Sequence, residues 1–201
     1  MRPLLEPRLI HGPCGDPGLY LEFAEARRGL LFDLPDLTPL LPRHLMRLSH
    51  AFVTHTHMDH FCGFDHLLRV VLGRKSRVVL HGGPGFVAQV AHKLAAYTWN
   101  VAHRYDVELV LDVREQDPQG GRRRALFSSR RRFVPEPCTA PSAQGDGVHE
   151  EATFRVRARF VDHDIPCLAY AIEEKARLAV ARERLPELGL TTGAWLRAMK
   201  E

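Results

Sequence analysis

Apolar positions along the chain fall into short runs whose period switches between two and nearly four, with Gly, Pro or Asp at the switches. The segment LYLEFAEARRGLLFDL has two β-capable stretches around Arg27, Arg28 and Gly29, which predicts a hairpin ending at Asp33. Pro39 and Pro42 precede RHLMRL, where a short helix is expected, and HAFVTH then has the composition of a buried strand. GFDHLLRVVLG carries helical spacing up to a stop at Gly73, SRVVLHG is strand-like, and GGPGFVAQVAHKLAAYTWN turns through glycine and proline into another helix. VELVLDVRE is a further strand. Residues 116–152 are rich in Gly, Pro, Ser and charge and predict strands joined by a mobile basic insertion, whereas TFRVRARFVDH alternates polar and apolar positions. Strands alternating with helices give an α/β class built in layers, without internal repeats.

Composition narrows the setting. With 201 residues, 45% of them hydrophobic, the chain can bury one sizeable core and is treated as one domain over 1–201. The start, MRPLLEPRLIHGPCGDPG, is broken by prolines and does not resemble a secretory signal, and no apolar run has the length of a membrane span. A cytoplasmic protein with no membrane partner is expected. Cys14, Cys62, Cys138 and Cys167 are scattered without CxxC spacing, which argues against a thiolate zinc site or a disulfide framework.

The net charge of +4 is modest, but its distribution is not. Arg122, Arg123, Arg124, Arg130, Arg131 and Arg132 form a cluster able to meet nucleic-acid phosphates through guanidinium forks, or simply to solvate a basic face.

The densest chemistry lies in AFVTHTHMDHFCGFDHLL, which starts at Ala51 and places His55, His57, Asp59 and His60 directly after an apolar strand. Three His and one Asp at four fixed places arise by chance only about once in 10⁵ starting positions. In a loop that leaves a strand, residues two apart can turn to one side, so His55 and His57 can share a first metal while Asp59 and His60 face a second. These ligands suit zinc ahead of manganese or iron. Two such ions could grip a phosphodiester and lower the pKa of a water toward neutrality. The other histidines, His11, His44, His50, His66, His81, His92, His103 and His149, lack ligand-like spacing and are expected to be structural or on the surface. Tyr97 and Trp99 are expected to pack in the core rather than stack on a base.

THTHMDH matches the HxHxDH signature of the metallo-β-lactamase fold, and GLLFDL resembles its first motif, with Asp33 in the place of an aspartate that braces the metal loop. Pro35 stands where the family usually has glycine. FVDHDIPCLAYAIEE, HGGPGF and LGLTTGAWL resemble the ribonuclease Z branch, endonucleases that trim the 3′ ends of precursor tRNA. The resemblance implies an αβ/βα sandwich. It also implies His163 as third ligand of the first metal beside His55 and His57, Asp59 and His60 on the second, and Asp59 as the catalytic residue that orients or deprotonates the water. Zinc would be the cofactor and RNA, as precursor tRNA, the substrate. A small-molecule or cyclic-nucleotide phosphodiesterase on the same fold is the alternative.

The family pattern is incomplete within these residues. After His163 no histidine follows and the last aspartate is Asp164, so the bridging aspartate, last histidine and general-acid histidine of the resemblance are missing. Residues 187–201 resemble the start of a tRNA-clamping arm. The expectation is therefore the N-terminal half of the sandwich plus the beginning of an arm. It could be a fragment of a longer enzyme, a truncated metal-binding remnant without catalysis, or a half completed by homodimer formation.

Overall fold

The computed structural model describes residues 3–140, 145–176 and 182–198. Eight strands hydrogen-bond in sequence order into one sheet: β1 (Leu5–Leu9), β2 (Leu19–Phe23), β3 (Gly29–Phe32), β4 (Leu48–Phe52), β5 (Arg77–Gly82), β6 (Val110–Gln116), β7 (Arg122–Ser128) and β8 (Pro135–Cys138). Three more form a smaller antiparallel sheet in the order β11 (Pro166–Glu174), β10 (Phe154–Asp162), β9 (Gly147–Glu150). The predicted hairpin is β2 against β3, with Leu19 opposite Phe32 and Asp33 immediately after. From β3 to β6 neighbouring strands are parallel. Parallel neighbours need crossovers, and the chain supplies helices α1 (Pro42–Arg47), α2 (Met58–Phe61), α3 (Phe64–Val71) and α4 (Phe86–Ala95) in them.

The period of two along each strand divides the large sheet into two chemically different faces. On one face Leu31, Ala51, Val53, Leu80, Val113 and Phe127 pack against Phe64, Leu67, Phe86 and Val90 of the helices in one buried cluster. The opposite face meets the small sheet. Its β1 to β4 half is apolar, with Leu5, Leu21, Phe23, Leu30 and Phe52 buried against Phe154 and Val156. Phe154 is fully buried and meets Phe23 edge to face at 5.4 Å, a packing whose loss on truncation to Ala typically costs about 3–5 kcal/mol.

Across β5 to β7 the same face turns polar. Arg114 and Arg124 stand directly opposite one another, a like-charge pair that would repel. Asp112, with no exposed surface, resolves the conflict by accepting hydrogen bonds from Arg124 Nε at 2.7 Å, Arg114 at 2.9 Å and Arg77 at 2.5 Å. Burial alone would raise the Asp112 pKa, but these guanidinium hydrogen bonds outweigh it and hold the carboxyl below the usual range. This half borders a cavity of about 480 Å³ lined by His81, Arg114, Arg122, His149 and Tyr170, among others.

Within residues 116–152 the structure has β7, β8 and β9; residues 141–144 lie outside the described residues. Pro135 and Pro137 of β8 lack ladder donors and sit on an edge strand, where the loss is tolerated. Of the arm-like stretch, a turn of 3₁₀ helix at Pro186–Leu188 and the short helix α5 (Trp195–Ala198) are seen, and residues 199–201 lie outside the described set. α4 ends at Ala95, so Tyr97 and Trp99 follow the helix rather than lie in it. Trp99 packs on the core and meets Phe133 at 4.7 Å, whereas Tyr97 is exposed. No helix among the described residues is long and apolar enough to cross a membrane.

Candidate metal centre

The HxHxDH segment leaves the C-terminal end of β4, as expected, and passes through α2. Three close backbone contacts hold the loop in place. Leu34 N–H donates to the His60 carbonyl at 2.8 Å, Gly63 N–H to the Leu34 carbonyl at 2.8 Å, and His60 N–H to the His57 carbonyl at 3.0 Å. The approach at Gly63 demands glycine, because a Cβ there would lie 1.9 Å from the Pro35 carbonyl oxygen.

Asp33 is the keystone of the loop. It is buried and adopts φ 61°, a left-handed conformation that Asp tolerates better than most residues. One carboxylate oxygen accepts the Thr54 backbone N–H at 2.7 Å; the other accepts the Thr54 hydroxyl at 3.1 Å and His60 Nδ1–H at 2.8 Å. Burial raises its pKa, opposed by the hydrogen bonds from Thr54 and His60. With Nδ1 of His60 committed to Asp33, Nε2 is left for the site, 3.4 Å from the exposed carboxylate of Asp59.

Thr54 passes the same order to His55. Its hydroxyl donates to Asp33 and can accept from His55 Nδ1–H at 2.9 Å, which makes His55 Nε2 the bare nitrogen. That atom is buried and has no hydrogen-bond partner. Burial, then the neighbouring His60, His57 and His163 rings, push the His55 pKa down to about 4, so the ring is a neutral imidazole near neutral pH.

His163 arrives from the turn between β10 and β11 on the small sheet. That hairpin is fastened to the motif loop by Leu168 N–H donating to the Thr54 carbonyl at 2.9 Å and by Tyr170 O–H donating to the Val53 carbonyl at 3.0 Å. One ring nitrogen each from His55, His57 and His163 then lies within 4.8 Å of the others, with His57 and His163 exposed above the buried His55. The residues present therefore fit one metal ion: three convergent imidazoles, one of them an orphaned lone pair. His60 is adjacent, its ring centroid 4.1 Å from that of His55, and with Asp59 it offers two donors beside that position.

The six arginines do not form one surface. Strand alternation sends Arg122 and Arg124 to the small-sheet face, where they bond to the Gly147 carbonyl and Asp112. Arg123 lies on the opposite side, 4.0 Å from Glu115. Arg130 and Arg131 face Glu108 and Glu136, and Arg132 is exposed in a left-handed turn.

Three of the histidines expected to be structural or on the surface are gathered together. His50, His81 and His149 meet between the sheets, with ring centroids of His50 and His149 4.1 Å apart. One donor atom each of His50, His149 and Glu151 falls within a single 4.8 Å set. Burial, and then the charge of His149, Arg28 and Arg114, pushes the His50 pKa down to about 3. Sequence spacing gives no signal for this group, because its members come from three strands.

No protein-family model matches the chain. Among curated proteins it is similar to ribonuclease Z of Deinococcus radiodurans, 31% identical over an alignment covering 98% of this chain and 60% of the relative. It is also 24% identical to ribonuclease Z of Methanocaldococcus jannaschii, over 77% of this chain and 40% of that protein. The chain thus spans between two fifths and three fifths of the length of these relatives. Among solved structures, the short form of human tRNase Z superimposes with a TM-score of 0.51 at 19% identity, over 86% of this chain and 64% of the other. With a histidine centre at the end of β4 and similarity along 98% of its length, the chain is a homologue of ribonuclease Z built on the metallo-β-lactamase fold.

Proposed function

We propose that the chain carries the metal-binding part of a zinc-dependent phosphodiester hydrolase that acts on RNA, with precursor tRNA as substrate class, in a cytoplasmic setting. The observation that carries this reading is the unpartnered Nε2 of His55, buried and converging with His57 and His163. His55, His57 and His163 would hold one zinc ion, and Asp59 with His60 would face a second. Zinc supplies Lewis-acid polarisation of a phosphoryl oxygen and a lowered water pKa.

The protein's own contribution is positional. Asp33 and Thr54 fix the tautomers of His60 and His55, so that no ring has to reorient when a ligand arrives. Asp59, half exposed and 3.4 Å from His60 Nε2, would orient the attacking water and accept its proton. The exposed side chains of Arg123, Arg130, Arg131 and Arg132 would contact RNA phosphates, whereas Arg122 and Arg124, bonded on the small-sheet face, would add positive charge from the other side of the sheet.

A second reading, a metal-binding chain without catalysis, is favoured by one specific observation. Beside the three-imidazole set, Asp59 and His60 offer a second ion two donors among the described residues, fewer than a closed zinc site takes. The test is a zinc-loaded preparation assayed on precursor tRNA and on a cyclic nucleotide diester. Cleavage of the tRNA, abolished by His57→Ala and accompanied by RNA affinity that falls with salt less steeply in Arg123→Ala, is the expected result. Cleavage of the small diester alone would move the substrate assignment. Tight zinc with neither substrate cut would establish the second reading.

A further inference from the structure

We propose that His50, His149 and Glu151 form a second zinc site, between the two sheets, at which the Arg28 guanidinium is a resident competitor. The donors come from β4, from β9 and from the residue following β9, and one atom of each lies within 4.8 Å of the other two. Donors on a tetrahedral zinc stand about 3.4 Å apart, so closing the set takes side-chain shifts of about 1 Å. Two imidazoles and a carboxylate are a zinc-type set that leaves one coordination position open.

The focus of these donors already holds a cation. Arg28 Nη1 donates to one Glu151 oxygen at 2.6 Å, and Nη2 donates to the other. The same Nη2 stands 3.5 Å from His50 Nδ1, and His149 Nε2 meets the shared Glu151 oxygen at 2.7 Å. A guanidinium therefore occupies the position where the donor atoms converge, and an ion entering would displace it from Glu151.

A further observation points to a ligand independently. His81 is only 3% exposed, its Nε2 has no hydrogen-bond partner, and its ring centroid is 5.7 Å from that of His50 and 6.3 Å from that of His149. A buried ring nitrogen without a partner carries a desolvation cost that a ligand would remove. His81 and His149 both line the cavity on the charged side of the inter-sheet face, which gives an ion a route in.

The experiment is cobalt titration of His55→Ala/His57→Ala/His163→Ala, which removes the loop centre, monitored by visible absorption against a competing chelator. One Co²⁺ per chain is expected, with affinity falling about 100-fold on adding His149→Gln and rising about tenfold on adding Arg28→Met. Should the triple variant lose its fold by circular dichroism, the parent chain preloaded with one equivalent of zinc is titrated instead. A further equivalent that His149→Gln removes is then expected. A folded triple variant that takes up no cobalt, retained cobalt indifferent to His149→Gln, or an Arg28→Met variant that binds no more tightly would each overturn the proposal.

Discussion

Two histidine clusters flank Phe52 along the chain, His50 before it and His55 after it, and they are built by opposite rules. The loop cluster draws His55, His57 and His60 from six consecutive positions, two of them within one short turn, and recruits only His163 from afar. The inter-sheet cluster draws His50, His81 and His149 from three different strands, with Glu151 directly after β9, and sits under a charged ceiling of arginines. The first is prepared by hydrogen bonds that leave lone pairs bare; in the second the donors are already bound to a guanidinium and to each other. Local chain geometry can present a ligand set from a single loop, whereas a set assembled across sheets has to be compatible with holding those sheets together.

The largest effect that separates the two clusters is expected from His57→Ala. Its side chain is exposed, so thermal stability should barely move, while the phosphodiester cleavage proposed above should fall by about 10³-fold or more, beyond the 10–100-fold usual for losing an outer-shell partner. A comparable loss of Tm would show that the ring also supports the fold.

Asp112→Ala should do the reverse. Three arginines would lose the fully buried carboxylate between them, at a cost of about 3–5 kcal/mol in denaturant unfolding, with zinc affinity at the loop retained. The pH dependence follows from the sign of the shift. Because the folded pKa is depressed, the stabilisation is fully present above the unfolded value of about 3.9 and is lost as pH falls through the folded one. The stability gap between parent and Asp112→Asn should therefore narrow below about pH 4, and a gap constant down to strong acid would refute the carboxylate's role.

A smaller and more local effect is expected from Asp33→Asn. Asn tolerates the left-handed backbone at φ 61°, and its amide oxygen can still accept the Thr54 N–H. Its NH₂ would then oppose His60 Nδ1–H, disturbing the tautomer that frees Nε2. Zinc affinity, measured by chelator competition, should fall about 10-fold with stability lowered by less than about 1 kcal/mol.

The unequal legibility of the molecule follows the same division. The β2–β3 hairpin, the strand feeding the motif and the helices α3 and α4 are written in local period and punctuation, and Asp33 could be placed from the wording GLLFDL. The scattering of the arginines could not, because their proximity in sequence conceals the alternation that sends Arg123 to one face and Arg122 and Arg124 to the other. His50, His81 and His149 were separated by spacing alone; only the order of strands and the lay of one sheet on the other brings them within reach. Tyr97 and Trp99 are both expected in the core as aromatics of an apolar helix; α4 stops at Ala95, and only Trp99 packs on the core while Tyr97 is exposed.

The fastening of the β10–β11 hairpin to the loop, through Leu168 and Tyr170, has a consequence for motion. His163 can reach the other two imidazoles only while the small sheet stays docked, so an ion held by all three is a clasp across two layers. Opening of that layer then costs the binding free energy as well as the packing, by simple linkage. Amide protons of β10 and β11 should exchange with deuterium more slowly as zinc is added, while those at the far edge in β8 keep their rate.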